Sequence, residues 1–212
     1  MLTLASILEK RRLSPPLLYG ISNLSAVTDL SPDRYLELLF QTPADILQWR
    51  EKDLSPADSR RLVRRGVSLS KATGKIFLVN SFVEMALEEE ADGAHLTSVQ
   101  DLAAAMNLRD LHQAETFLLG KSTHSALEVE VAQRQGADYV LLGPVSAPLS
   151  KESPYTPLGY LGFRELSYAF QVPMFALGGI SDSLFAKIAE TGAAGAAGIT
   201  WLSREVEKLR EH

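Results

Sequence analysis

Cysteine is absent from the 212 residues. This excludes disulfides, thiolate nucleophiles and cysteine-bound metals, and it fits an intracellular protein. No apolar run approaches the roughly 20 residues a membrane-spanning helix needs. The opening MLTLASILEKRR carries its charges after a short apolar run, the reverse of a secretory signal. There is no excess of positive charge: 21 Lys and Arg against 26 Asp and Glu leave a net charge of −5, without the electrostatic footprint of a nucleic-acid binder. Asp and Glu pairs do not converge, and no spacing of metal ligands stands out. What remains is a chain with 46% hydrophobic residues, long enough for one sizeable core and short for two. A soluble, single-domain, cytoplasmic protein is expected, with neither nucleic acid nor membrane as partner; self-association is left open.

Apolar runs alternate with helical patterns from end to end. After a short leading helix over 1–12, strands are predicted at 17–22, 44–51, 75–80, 93–96, 116–122, 139–145, 173–177 and 193–200. Helices fall between them, at 32–40, 55–72, 82–90, 99–106, 125–135, 160–170 and 182–191, with a closing one at 204–211. The segment 146–159 holds three prolines and no period, and reads as a loop. Eight strand–helix units in a chain of this length predict an α/β fold, a single-domain (β/α)8 TIM barrel spanning 1–212. An open doubly wound sheet is the competitor. No G-x-G-x-x-G follows the first strand, however, and the polar residues sit at many strand ends rather than at one switch point.

The stretch PMFALGGISDSLFAKIAETGAAGAAGITWL organises the rest. It reads as strand, glycine turn, helix, strand and then the start of another helix. Gly178 and Gly179 open one helix N-terminus, Ser181 or Asp182 caps that helix, and Gly192 ends it. The last strand is so poor in bulk that something must approach its backbone closely. Two such strand ends supply backbone N–H groups for a phosphate, in the place where barrels commonly hold one.

Other polar residues gather at strand ends. Gln48, Arg50 and Lys52 alternate along the second strand and so share one side of it, a set that suits a polyanion; a solvated strand end paired with Glu51 or Asp53 is the equal alternative. Asn80 ends the third strand as an amide ligand or a turn former. Ser122, Thr123 and His124 end the fifth, where His124 could titrate near neutrality and the hydroxyls could be helix caps. His95 is read as a structural histidine. Lys151, in the long loop, has the reach to cover an anion. Arg60, Arg61, Arg64 and Arg65 follow helical spacing and are expected on an exposed face.

Six stretches then resemble a known family in their order and spacing: LQWREKD, FLVNS, ADGAHL, GKSTHS, GADYVLLGPV with Ser150-Lys151, and PMFALGGI followed by Ile199-Thr200. The family is that of thiamin phosphate synthases and thiazole tautomerases. The resemblance covers nearly the whole chain and implies a (β/α)8 barrel that joins hydroxymethylpyrimidine diphosphate to thiazole phosphate and releases diphosphate. It implies that Gln48, Arg50, Lys52, Asn80, Ser122 and Lys151 hold the pyrimidine diphosphate. Ser150, Gly178, Gly179, Ile199 and Thr200 would hold the thiazole phosphate, in part through backbone N–H groups.

It also implies Mg²⁺, but the usual ligand after the strand-three Asn is Ser81 here. The second ligand, Asp101, matches only with a one-residue insertion, and the loop's first Thr is Pro148. Tautomerase relatives tolerate loss of the strand-three Asp, yet carry a His where this chain has Pro144; His124 is the candidate substitute. A tautomerase, or a non-catalytic binder of thiazole or thiamin phosphate, is therefore the alternative to a synthase.

Overall fold

The computed structural model describes residues 4–11, 13–147 and 154–211. The chain order is α1 (Leu4–Arg11), β1 (Leu17–Ile21), α2 (Pro32–Leu39), β2 (Ile46–Trp49), α3 (Pro56–Thr73), β3 (Ile76–Asn80), α4 (Val83–Glu88), β4 (Gly93–Leu96), α5 (Leu102–Leu111) and β5 (Leu118–Thr123). It continues with α6 (Ala126–Arg134), β6 (Tyr139–Leu142), α7 (Gly159–Ala169), β7 (Met174–Leu177), α8 (Asp182–Ala189), β8 (Gly195–Gly198) and α9 (Ile199–Arg210). The eight strands pair in sequence order, all parallel, and β1 closes on β8. This is the expected (β/α)8 barrel, and every strand ends at one rim.

Side chains alternate between the barrel interior and the helix layer. Leu17, Tyr19, Ile46, Ile76, Leu78, Leu118, Tyr139, Leu141, Phe175 and Ala197 fill the interior, and Leu4, Ile7 and Leu8 of α1 close its floor. The bulk-poor last strand has a direct cause: a Cβ on Gly195 would lie 2.0 Å from the Leu17 carbonyl oxygen, so β1 takes the space. Helix starts follow their caps. Ser31, Ser55, Ser125 and Ser181 each accept a backbone N–H from the first turn of α2, α3, α6 and α8.

The floor carries a regularity above the single strand–helix unit. Ala44-Asp45, Ala91-Asp92 and Ala137-Asp138 precede β2, β4 and β6. Each Asp accepts the backbone N–H of the preceding strand at 2.8 Å, from Leu18, Phe77 and Leu119 respectively. Asp92 is also bound by Arg11, which ties α1 to the floor. Asp138 pairs with buried Arg109 at 3.0 Å.

Four expectations are corrected. β2 stops at Trp49 rather than residue 51, because the Arg50 N–H turns to Ser22 Oγ (2.8 Å). α5 begins at Leu102 rather than 99, because Asp101 takes the N–H groups of Ala103 and Ala104. β6 stops at Leu142, just before Gly143 and Pro144, which has no N–H to continue a ladder. β8 ends at Gly198 rather than at Thr200, and Ile199 and Thr200 instead form the first turn of α9. The β-branched pair after a small-residue strand hides the helical spacing of buried Leu202, Ser203 and Val206.

Candidate active site

The mouth of the barrel is built from strand ends. Gln48 is 3% exposed inside the barrel and donates Nε2 to Asn80 Oδ1 (2.8 Å). Asn80 in turn donates Nδ2 to Ser81 Oγ (2.8 Å), and Ser81 sits at φ 68°. Arg50 and Lys52 lie beyond the end of β2, so strand alternation alone no longer sets their direction. They leave the barrel wall at the same rim, Arg50 half-buried and Lys52 exposed. Neither forms an ion pair among the described residues, so the alternative pairing with Glu51 or Asp53 is not made. Glu51 instead accepts the Leu24 N–H (2.9 Å) and braces the loop after β1. Burial raises its carboxyl above the usual carboxylate range.

On the opposite arc, Ser122 Oγ lies 2.9 Å from Nε2 of His95. The cap of α6 is Ser125, not Ser122 or Thr123. His95 is a satisfied buried histidine, as expected, with Nδ1 3.2 Å from the Tyr139 hydroxyl. Burial, helped by the Lys121 charge, lowers its pKa to about 3. His124 donates Nδ1–H to the Gly143 carbonyl (2.6 Å), which fixes the orientation of its ring. Its ring stacks on Tyr155 with centroids 3.7 Å apart.

The glycine turn after β7 and the start of α9 complete the rim. Gly178 and Gly179 have φ of 95° and 61°, and a Cβ on Gly179 would stand 2.7 Å from Ser146 Cβ. Glycine is thus required twice, by conformation and by the loop packed over it. Ser181 caps α8. The N-cap of α9 is Gly198, which offers no side chain, so the first N–H groups of α9, those of Ile199 and Thr200, have no side-chain cap, an arrangement that can receive an anion. Ser150 and Lys151, with Pro148, lie outside the described residues.

Asp101 was the candidate metal ligand. Its Oδ1 is engaged as the α5 cap, at 2.9 Å from Ala103 N and 3.3 Å from Ala104 N. Lys121 lies close enough for its pKa to feel the Asp101 charge, and it donates to the Gln100 carbonyl. Among the described residues no group of three His, Cys, Asp or Glu could hold a metal ion. A lone, half-engaged carboxylate beside an ammonium does not fit a protein-built Mg²⁺ site, which draws on hard oxygen ligands.

Sequence reasoning passed over Tyr19, Tyr139 and Lys121. Tyr19 donates to Gln48 Oε1 (2.8 Å) and lies 3.0 Å from the Tyr139 hydroxyl. The available signal was Gly120, placed in β5 where β6 brings Tyr139 alongside. Arg60, Arg61, Arg64 and Arg65 do lie on an exposed face, and each is paired, with Asp33, Glu37, Glu88 or Glu89.

A closed parallel barrel with a glycine turn after strand seven and an uncapped helix N-terminus after strand eight is a (β/α)8 barrel whose last two strand ends leave backbone N–H groups exposed at one rim. Its sequence narrows this further. The family model described as thiamine monophosphate synthase matches residues 18–202, and the chain belongs to that family. It is 32% identical over 199 residues to a bifunctional thiamine biosynthesis protein of Symbiobacterium thermophilum, covering 94% of this chain and 41% of that one. To a thiamine-phosphate synthase of Prochlorococcus marinus it is 34% identical over 149 residues, 70% of this chain and 41% of that one. A thiamine-phosphate synthase of Chlorobium phaeovibrioides matches at 32% over 183 residues, 85% and 86% of the two chains. The chain therefore spans about two fifths of the first two relatives and most of the third. Among solved structures, thiamine phosphate pyrophosphorylase from Pyrococcus furiosus superposes with a TM-score of 0.76 at 23% identity, covering 92% and 94% of the two chains. A 3-hexulose-6-phosphate synthase gives 0.63 at 17%, covering 91% and 98%. At these identities both likenesses speak for the fold alone.

Proposed function

We propose that this chain is a thiamin-phosphate synthase-type transferase, acting in the cytoplasm on two small phosphorylated substrates, a pyrimidine diphosphate and a thiazole phosphate. The observation that carries the reading is the shared rim. The α9 N-terminus and the Gly178–Gly179 turn follow β8 and β7 at the same rim of the parallel barrel where β2, β3 and β5 end at or beside Gln48, Asn80 and Ser122 and where Arg50 follows β2. In this reading Gly178, Gly179, Ile199 and Thr200, with Ser150, hold the thiazole phosphate. Gln48 and Asn80 orient the pyrimidine, while Arg50, Lys52, Ser122 and Lys151 hold the diphosphate.

The bond from the pyrimidine methylene carbon to the diphosphate oxygen breaks, and the leaving group keeps the electron pair. The thiazole nitrogen donates its lone pair to that carbon, and a C–N bond replaces the C–O bond. The cations lower the barrier by stabilising charge on the departing diphosphate, and the two anchored phosphates hold carbon and nitrogen in line. Mg²⁺ would come bound to the diphosphate oxygens rather than in a site built by the described residues.

A second reading has one observation of its own. His124 Nδ1–H is held by the Gly143 carbonyl, so the neutral ring would present its Nε2 lone pair, as a base for a thiazole phosphate tautomerase would need. A thermal-shift panel separates the two. Stabilisation by inorganic diphosphate and by thiazole phosphate supports the synthase; stabilisation by thiazole phosphate alone contradicts it and favours the tautomerase or a non-catalytic binder.

A further inference from the structure

Six hydrogen bonds run unbroken across the barrel interior, from Ser81 at the end of β3 to Ser122 near the end of β5. In order they join Ser81, Asn80, Gln48, Tyr19, Tyr139, His95 and Ser122. Tyr19, Tyr139 and His95 are all at most 2% exposed, so no bulk water supplies an alternative partner. Counting protons along the chain gives it a direction. Gln48 spends its amide N–H on Asn80, so its carbonyl oxygen takes the Tyr19 proton. Tyr19 then faces Tyr139 with a lone pair, at 3.0 Å, and uses up the Tyr139 proton. The Tyr139 oxygen is left as an acceptor for His95 Nδ1, which must therefore carry the imidazole proton. A neutral imidazole has one N–H, so Nε2 is a lone pair and Ser122 donates to it across 2.9 Å. The depressed basicity of His95 agrees with a neutral ring.

We propose that the Tyr19–Tyr139–His95 chain presets the Ser122 hydroxyl as a hydrogen-bond acceptor toward the mouth in the free protein, and that an anion reaching Ser122 must reverse it. To donate to a phosphoryl oxygen, Ser122 has to withdraw its proton from His95, and Nε2 must then carry one. The proton count is unchanged: one leaves Nδ1, one arrives at Nε2, and both tyrosines keep theirs. Tyr139 must then turn its hydroxyl to Nδ1. This leaves two tyrosine oxygens facing each other without a proton between them, unless the Gln48 and Asn80 amides rotate. Occupancy at Ser122 is thereby coupled to the hydrogen-bonding face that Gln48 shows on the other side of the mouth. Tyr139 and His95 are positioning residues for both. The reversal rests on the proposed diphosphate site; the direction of the chain in the free protein does not.

The test is long-range ¹H–¹⁵N spectroscopy on protein labelled at histidine, with the His95 signals identified by their loss in His95→Gln. Free protein should show the Nδ1–H tautomer, and inorganic diphosphate should convert it to Nε2–H. Nε2–H in the free protein, or diphosphate binding seen by calorimetry without a change of tautomer, would overturn the proposal. If diphosphate fails to bind while free His95 is Nδ1–H, the substrate reading falls and the chain's direction stands. Tyr139→Phe supplies a second arm. It removes the group that resists reversal, so inorganic diphosphate should bind about fivefold tighter, and Ser122→Ala should abolish the gain. A purely structural Tyr139 predicts weaker or unchanged binding, and either result would contradict the coupling.

Discussion

A Cβ on Gly120 would lie 2.0 Å from Cζ of the Tyr139 ring, so β5 and β6 share one space in the barrel interior, which the aromatic ring occupies. Gly120→Ala must push the ring off its hydrogen bonds with Tyr19 and His95. Overpacking of this kind costs about 1–3 kcal/mol, and displaced buried hydroxyls add to it. Urea denaturation should show a lowered midpoint at an unchanged slope. A midpoint equal to that of the parent would mean that the ring has room to move.

Arg109 and Asp138 form the buried ion pair of the floor, and Asp138 also holds the Leu119 N–H. Burial raises the Asp138 carboxyl despite the guanidinium beside it. Arg109→Met leaves a buried carboxylate without its cation, and about 3–5 kcal/mol of stability should be lost. The mouth lies at the other end of the strands, so diphosphate affinity at a temperature where the variant is folded should be unchanged.

Gly179→Ala meets both a left-handed φ and Ser146 at 2.7 Å. The turn must shift to admit the methyl group. Thiazole phosphate binding measured by calorimetry should weaken at least tenfold, about 1.4 kcal/mol, while inorganic diphosphate binding is retained. Equal weakening of both would place the two anions in one pocket.

His95 carries a pH dependence of definite sign. Its pKa is about 3 when folded and about 6.5 when unfolded, so below neutrality the unfolded chain binds the extra proton. Its contribution is intact above pH 6.5 and is lost as pH falls toward 3. Between pH 7 and pH 5 the loss should be about 2 kcal/mol. Glu51 and Asp138, with raised carboxyls, act in the opposite sense. The difference between parent and His95→Gln, measured by denaturant titration at both pH values, isolates the histidine.

Asp101→Asn keeps a side-chain oxygen for the α5 cap and removes the charge. If Asp101 is a cap and not a metal ligand, stability should change by less than about 0.5 kcal/mol, and the Mg²⁺ concentration giving half-maximal turnover should stay the same. A several-fold rise in that concentration would restore Asp101 as a ligand.

The barrel was legible because period, caps and glycine stops agree along the chain, as Ser31-Pro32, Ser55-Pro56 and Gly74 illustrate. The residues that converge at strand ends were legible for the same reason, since a parallel barrel puts every strand end on one rim. What escaped was set by partners distant in sequence. The β2 stop depends on Ser22, a residue of the neighbouring strand end. The early start of α9 is masked by Ile199 and Thr200, whose β-branched side chains read as strand. Tyr19 and Tyr139 looked like ordinary strand aromatics, and only the closed barrel brings their hydroxyls within 3.0 Å.

The central claim, that one mouth accepts two phosphorylated substrates and joins them, is tested most directly by incubating the purified protein with hydroxymethylpyrimidine diphosphate and thiazole phosphate across a Mg²⁺ series. Thiamin phosphate and diphosphate should appear in equal amounts, with kcat falling at least a hundredfold in Arg50→Ala. No thiamin phosphate at any Mg²⁺ concentration, from protein shown to bind both substrates, would contradict the account.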